Sequence, residues 1–311
     1  MKRDFRADLH VDTLSLLAER GGGLTPQRDD FQVDGQRCQA GGINLLGTAV
    51  FTVDGHASPW EHCLSLLEAR DRLHQNPDEP FEIVSHPDQV ESLSDGVVGM
   101  LTTIENGIAL EGEVGRLELL HERGVRILGL VWNAANELGQ GCHEDTGEGL
   151  TAKGRDMVQE ASSMGWAIDI SHLNPRGVLD LCEMNATIVA THSNSRHVHD
   201  HPRNLGDETL KALSQVNSLV GINVFPPFLG GDSDCQTFVR HVRYVADILG
   251  HDRVALGTDL DGISRTMTGF RDHRDMDLLH EVLQAETGNQ GSGILGNNFM
   301  NFWRSWAKQA G

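Results

Sequence analysis

The sequence predicts a (β/α)8 barrel formed as one domain over residues 1–311, on three observations. Short β-rich runs alternate with stretches of helical periodicity, which is the signature of parallel βα units. The runs number eight, the count that closes a barrel, and 311 residues fit one such barrel without calling for a second domain. Several of the runs also end in a side chain able to do chemistry, where barrel active sites lie.

The eight expected strands are 7–12, 43–53, 97–105, 125–132, 166–171, 187–192, 219–225 and 253–259. Amphipathic helices are expected between them. In 113–123 the apolar positions include Leu117, Leu119 and Leu120, and in 236–249 they are Phe238, Val239, Val242, Val245, Ala246 and Leu249. The glycine-rich pieces 21–23 and 139–149 lack the spacing and the following lysine of a phosphate loop and are expected to be turns.

Composition excludes several function classes. Forty-five acidic residues against 25 basic ones give a formal charge of −20, which repels polyphosphate, so no nucleic-acid partner is expected. No run reaches the roughly 18 apolar residues of a membrane span. The basic N-terminus has no apolar stretch behind it and the C-terminus no hydrophobic tail, so no membrane association and a cytoplasmic location are expected. The five cysteines, Cys38, Cys63, Cys142, Cys182 and Cys235, are odd in number and form no C-x-x-C pair. Reduced, mostly buried thiols are expected.

The strand ends supply the chemistry. His10 and Asp12 form an H-x-D pair closing the first strand, and a period of two points both into the barrel. Alone this pair is weak evidence; its position gives it weight. Glu105 closes an otherwise apolar strand, where a buried carboxylate costs several kcal/mol unless it meets a cation. His172 and His192 end two successive strands and suit a shared ion. Together these five residues offer oxygen and nitrogen donors without a thiolate, which favours zinc, with manganese or cobalt as alternatives. The alternating His197, His199 and His201 lie in a polar segment and are expected to be solvated. Cys142 and His143 are adjacent in a loop, a poor arrangement for a nucleophile and its base.

The ordered strings DLHVDT, TTIENG, GVRILGLVWNAAN, GLTAKG, IDISHL, ATHSNSR, DHPRNL, GINVFPPFL, ALGTDLDGI and GILGNNF run the length of the chain. In this order they resemble the membrane dipeptidase (renal dipeptidase) family of zinc metallopeptidases. The resemblance implies a metal-dependent hydrolase of the (β/α)8 type with two zinc ions. His10 and Asp12 would bind one ion, His172 and His192 the other, and Glu105 would bridge both as part of the catalytic centre. Arg203 would bind the terminal carboxylate of a short peptide, and Asp259 would handle protons; Asp261, two residues on, is the competing candidate, and spacing does not separate the two. The implied activity is hydrolysis of dipeptides, with tolerance of a D-residue on the carboxyl side, by a hydroxide bridging the metals. A homodimer is also implied.

One departure from the family stands at Trp132. The fourth strand of family members ends in a T-H-N-like string whose histidine lies over the substrate, whereas this chain has Trp132 followed by Asn133, so both are assigned to substrate contact. An indole donates one hydrogen bond but carries no proton or charge at neutral pH. Two other functions therefore stay open: a binuclear amidohydrolase acting on another small amide, such as an N-acyl amino acid, and a catalytically silent metal-binding homologue. Retention of Arg203 and Asp259 argues against the silent form, since a structural metal needs neither.

Overall fold

A computed structural model describes residues 4–25 and 27–307. The two ends of the expected 1–311 domain and Pro26 lie outside the described residues. The strands are β1 (Ala7–Val11), β2 (Leu45–Phe51), β3 (Phe81–Ile83), β4 (Val98–Glu105), β5 (Val125–Gly129), β6 (Ala167–Asp169), β7 (Ile188–Ala190), β8 (Ser218–Ile222) and β9 (Val254–Leu256). All pairings among them are parallel, in the order β1-β2-β4-β5-β6-β7-β8-β9. This is the (β/α)8 barrel.

The ring closes at its C-terminal rim. Asp12 N–H donates to the Leu260 carbonyl at 2.9 Å and Asp259 N–H to the His10 carbonyl at 2.9 Å, joining the segment after β9 to β1. Deeper in the barrel the buried Asp8 carboxylate accepts the Thr258 amide at 2.8 Å, replacing a ladder bond with a side chain. The seam of the barrel thus runs through residues that bear on the site.

Two departures from the expected elements have physical reasons. A ninth strand, β3, pairs with the first half of β4 at Val98–Met100, where β5 begins to pair only from Thr102. Its three residues are too few to show alternation in sequence. The strands after β4 are also shorter than expected: β5 ends at Gly129, three residues before Trp132, and β6 and β7 end before His172 and His192. The residues beyond these strands are held by side-chain bonds instead of ladder bonds, as described below.

Apolar packing forms two layers. An inner cluster contains Leu45, Leu101, Ile127, Ala167, Val189, Leu219 and Ala255 from successive strands. The last helix, Asn297–Ala307, adds Phe299, Trp303 and Trp306 to it. The outer cluster joins the other strand faces to the helices, including Phe238, Val242 and Val245 of Cys235–Leu249. That helix begins one residue earlier than expected, because Asp234 caps it by accepting the Thr237 amide at 2.8 Å. The expected helix 113–123 is shorter, Arg116–Glu122.

Candidate active site

Glu105 occupies the parity of Leu101 on β4, so the apolar inner layer ends in a carboxylate at the C-terminal rim. Its two oxygens face different partners. Oε2 lies 3.1 Å from His10 Nε2, and Asp12 Oδ2 lies 3.7 Å from that same nitrogen. Oε1 lies 3.0 Å from His172 Nε2 and 3.9 Å from His192 Nε2, and these two nitrogens are 3.1 Å apart. The donor atoms of His10, Asp12 and Glu105 fall within 4.8 Å of one another, as do those of Glu105, His172 and His192, and those of His10, His192 and Asp259.

The hydrogen bonds behind the ring nitrogens determine which way the lone pairs point. The Asp169 carboxylate accepts the Thr191 hydroxyl at 2.5 Å and the Ser171 hydroxyl at 2.7 Å. A hydroxyl has one proton, so Thr191 Oγ1 can only accept from Nδ1 of His10 at 3.0 Å and Nδ1 of His192 at 2.9 Å. Both rings therefore carry a proton on Nδ1 and turn Nε2 toward Glu105, the nitrogen that a cation would take. For His172 the same task falls to Asn133, whose Oδ1 lies 3.2 Å from Nδ1. Such partners behind a ring are what orient histidine toward a metal. Asp169 and Thr191 were not singled out in the sequence; the signal available was a polar residue three before His172 and one before His192.

The charges in this cluster do not balance by themselves. Burial, and next the Glu105 charge, push the Asp12 carboxyl up. Burial, and next Asp12, push Asp259 well above the usual carboxylate range. Burial opposes a charged His10, yet Glu105 and Asp12 together outweigh it and raise that group well above its ordinary value. His172 is pushed well below the ordinary value by burial and then Arg203, and His192 by burial and then His10. Asp12 Oδ1 is buried without a hydrogen-bond partner. Crowded carboxylates, outward-facing imidazole lone pairs and an orphaned buried oxygen fit divalent cations, and the all-oxygen-and-nitrogen donor set suits zinc, manganese or cobalt. The turn after β9 makes room for it: a β-carbon on Gly262 would lie 2.1 Å from Asp12 Oδ2 and 2.7 Å from Asp259 Oδ1.

The cluster forms the floor of a cavity of about 380 Å³. Arg203 enters its wall, nine-tenths buried or more, with Nη2 3.3 Å from His172 Nε2 and Nη1 unpartnered. Among the described residues no carboxylate pairs with it, which is unusual for a buried guanidinium. Its carbon lies 5.3 Å above the Phe228 ring. Across the cavity Trp132 meets Phe51 edge-on at 5.1 Å and lies 5.9 Å from the His172 ring. Asn133 lines the same cavity while its oxygen faces His172.

Geometry also separates two aspartates that spacing does not. Asp261 accepts the Thr13 hydroxyl and the Gln32 amide, each at 2.6 Å, so both its oxygens anchor loops. Asp259, at a φ of +65°, accepts the Asn223 amide on one oxygen and joins the cluster with His10 and His192. Away from the cluster, His197 stacks on Tyr244 at 4.1 Å, and His201 Nδ1 accepts the Arg203 amide. Burial pushes the Cys142 thiol up, which does not suit a nucleophile.

A model of the membrane dipeptidase family, peptidase family M19, matches residues 1–310. The chain belongs to that family. This membrane dipeptidase family member thus falls among peptide-bond hydrolases. It is 37% identical over 183 residues to the uncharacterized protein in the pqqA 5′ region of Klebsiella pneumoniae, covering 55% of this chain and 68% of that one. Three further curated relatives are spanned over only 58%, 63% and 51% of their own length. Among solved structures, the dipeptidase AC, a metallopeptidase of family M19, matches with a TM-score of 0.89 at 26% identity, over 98% of this chain and 99% of that one. A metallopeptidase from Rhodobacter sphaeroides, liganded with a phosphinate mimic of L-Ala-D-Ala, shares the fold with a TM-score of 0.90 at 24% identity, over 98% and 100%. Among the described residues no helix is long and apolar enough to cross a membrane.

Proposed function

We propose that this family member is a binuclear zinc dipeptidase, active as a homodimer, that hydrolyses short peptides with a free terminal carboxylate. The observation that carries the reading is Glu105, whose two oxygens face two separate groups of ligands, in a cavity that also holds an unpaired Arg203. His10 and Asp12 would hold one ion, His172 and His192 the other, with Glu105 shared. When bound, the ions supply Lewis acidity, lowering the pKa of a water toward about 7 and polarising the scissile carbonyl.

The remaining steps fall to the chain's own residues. Arg203 holds the substrate carboxylate through charge-assisted bonds, using the nitrogen that has no partner among the described residues. Asp259, in its carboxylate form and made a stronger base by burial and the neighbouring Asp12, takes the proton of the attacking water and passes it to the departing amine. The water oxygen joins the carbonyl carbon as the C–N bond breaks. Substrates with a D-residue on the carboxyl side, as in the mimic bound to the Rhodobacter metallopeptidase, belong to the proposal. The five free cysteines support a reducing, cytoplasmic location.

A second reading, an amidohydrolase for N-acyl amino acids, is favoured by the Phe51–Trp132 wall, which offers an acyl chain an apolar surface. The test is a panel of dipeptides and N-acyl amino acids assayed on protein reconstituted with zinc, with the metal content measured alongside. Two metals per chain and turnover of dipeptides are expected, and His172→Ala should lower the metal content. A content that stays near one per chain sinks the binuclear reading; turnover of N-acyl amino acids alone moves the assignment to the second.

A further inference from the structure

The cavity over the metal cluster does not end at Phe51. A second depression, of about 430 Å³, adjoins it, and the two share Ser15 and Phe51. It lies between the helices Thr13–Arg20 and Pro59–Gln75, which pack against each other. Ser15 and Glu19 stand one turn apart on the first helix, His62 faces them from the second, and Val53 supplies an exposed apolar surface at 42% exposure.

Three features make this depression more than a surface dip. The order of the barrel places β2 second and β7 sixth of eight staves, so Phe51 and the loop bearing Arg203 stand diametrically opposite across the metal cluster. A substrate whose carboxylate sits on Arg203 and whose scissile bond lies over Glu105 therefore points its amino side at Phe51 and Ser15. Secondly, Ser15 Oγ is buried yet has no hydrogen-bond partner among the described residues. An unsatisfied buried hydroxyl at a shared rim is explained by a ligand group that completes it. Thirdly, Glu19 is exposed beyond it and, among the described residues, pairs with nothing.

We propose that this groove is a subsite for the amino side of peptides longer than a dipeptide, so that the enzyme also removes the carboxy-terminal residue of tripeptides with a free amino terminus. The inference rests on the reading of Arg203 as the carboxylate clamp. The peptide group on the amino side of the cleaved residue bonds to Ser15 Oγ. One extended residue further, about 3.5 Å along the chain, the terminal ammonium reaches the flexible side chain of Glu19, whose helix position is about 6 Å beyond Ser15. The apolar part of the first residue lies on Phe51 and Val53. The neighbouring His62 is held below its ordinary pKa by burial and then by His56, so it does not oppose an ammonium.

The experiment compares Leu-Ala, Gly-Leu-Ala and acetyl-Leu-Ala, which keep the scissile bond and carboxylate constant, on zinc-loaded wild type, Ser15→Ala and Glu19→Gln. Wild type should release alanine from all three. Glu19→Gln should raise KM for Gly-Leu-Ala by about two- to fivefold, the scale of one exposed ion pair, and spare the other two. Ser15→Ala should weaken both substrates that carry the extra amide and spare Leu-Ala. Turnover of Leu-Ala without Gly-Leu-Ala, or a Glu19→Gln effect equal on all three, overturns the subsite. Calorimetric binding of Leu-Ala and Gly-Leu-Ala analogues with a CH2–NH group at the scissile position gives an arm independent of turnover. If no peptide is cleaved but Glu19→Gln selectively weakens the longer analogue, the peptidase reading fails and the subsite stands. Affinities that do not change with Glu19→Gln overturn the subsite even if dipeptides are turned over.

Discussion

Thr191 donates its hydroxyl proton to Asp169 at 2.5 Å, and that one bond decides the tautomer of two imidazoles in the metal cluster. With the proton committed, Oγ1 can only accept from His10 and His192, which holds a proton on Nδ1 of each ring and turns Nε2 toward Glu105. Thr191→Val keeps the shape but removes the acceptor, so zinc affinity should drop by about 10–100-fold, the usual cost of losing such a partner. Thr191→Ser should retain most of it. Competition with a chromogenic chelator reads the affinity directly, and an unchanged value in Thr191→Val would remove this residue from the positioning role.

Asp259 and Arg203 should separate kinetically, because one is proposed to act on a proton and the other on the substrate carboxylate. Asp259→Asn should mainly lower kcat. Arg203→Ala should mainly raise KM, and its effect should vanish for substrates with an amidated terminus. Equal losses on charged and amidated substrates would show that Arg203 supports His172, which it touches at 3.3 Å, and does not clamp the carboxylate.

Trp132 stands against Phe51 on the cavity wall, at the position where the family resemblance implies a histidine. Loss of one donor to a developing oxyanion costs on the order of 3 kcal/mol, so simple dipeptides should turn over slowly. Trp132→His should raise kcat on them, while Trp132→Ala should open the pocket without restoring the rate. The comparison needs equal zinc occupancy in the three proteins. Fast wild-type turnover that Trp132→His leaves unchanged would mean that another donor serves the oxyanion.

Beneath the site, His273 Nε2 lies 2.7 Å from Asp8 Oδ2, with both side chains fully buried. Burial opposes the charged ring, but the bonds to Asp8 and Cys38 overcome it and lift its pKa from 6.5 to about 10. A folded-state value above the unfolded one contributes stability that is complete below pH 6.5 and is lost as pH rises toward about 10. Denaturant midpoints should therefore fall from neutral to alkaline pH. His273→Gln, which keeps a donor without a titrating proton, should flatten that slope; an identical slope in both proteins rules the pair out as its source.

The candidate ligands at the strand ends were legible because a barrel strand has a period of two and ends at the rim that carries chemistry, so His10, Asp12 and Glu105 announce themselves within a few residues. His172 and His192 were legible as residues but not as strand ends, since β6 and β7 stop short of them and side-chain bonds take over. The motif strings gave the family.

What the sequence by itself determined was local: the alternation of strand and helix, the donor types, and the order of motifs along the chain. Only the tertiary structure decided which aspartate joins the cluster, because Asp259 and Asp261 differ in partners drawn from 30 to 250 residues away, Asn223 for one and Thr13 and Gln32 for the other. It also decided that Thr191 orients two rings, that Arg203 is left without a carboxylate, and that the groove at Ser15 and Glu19 opens opposite to it. Local pattern follows from backbone geometry over a few residues, whereas a hydrogen-bond partner, a buried charge or a cavity depends on which distant segments the closed barrel brings to one rim.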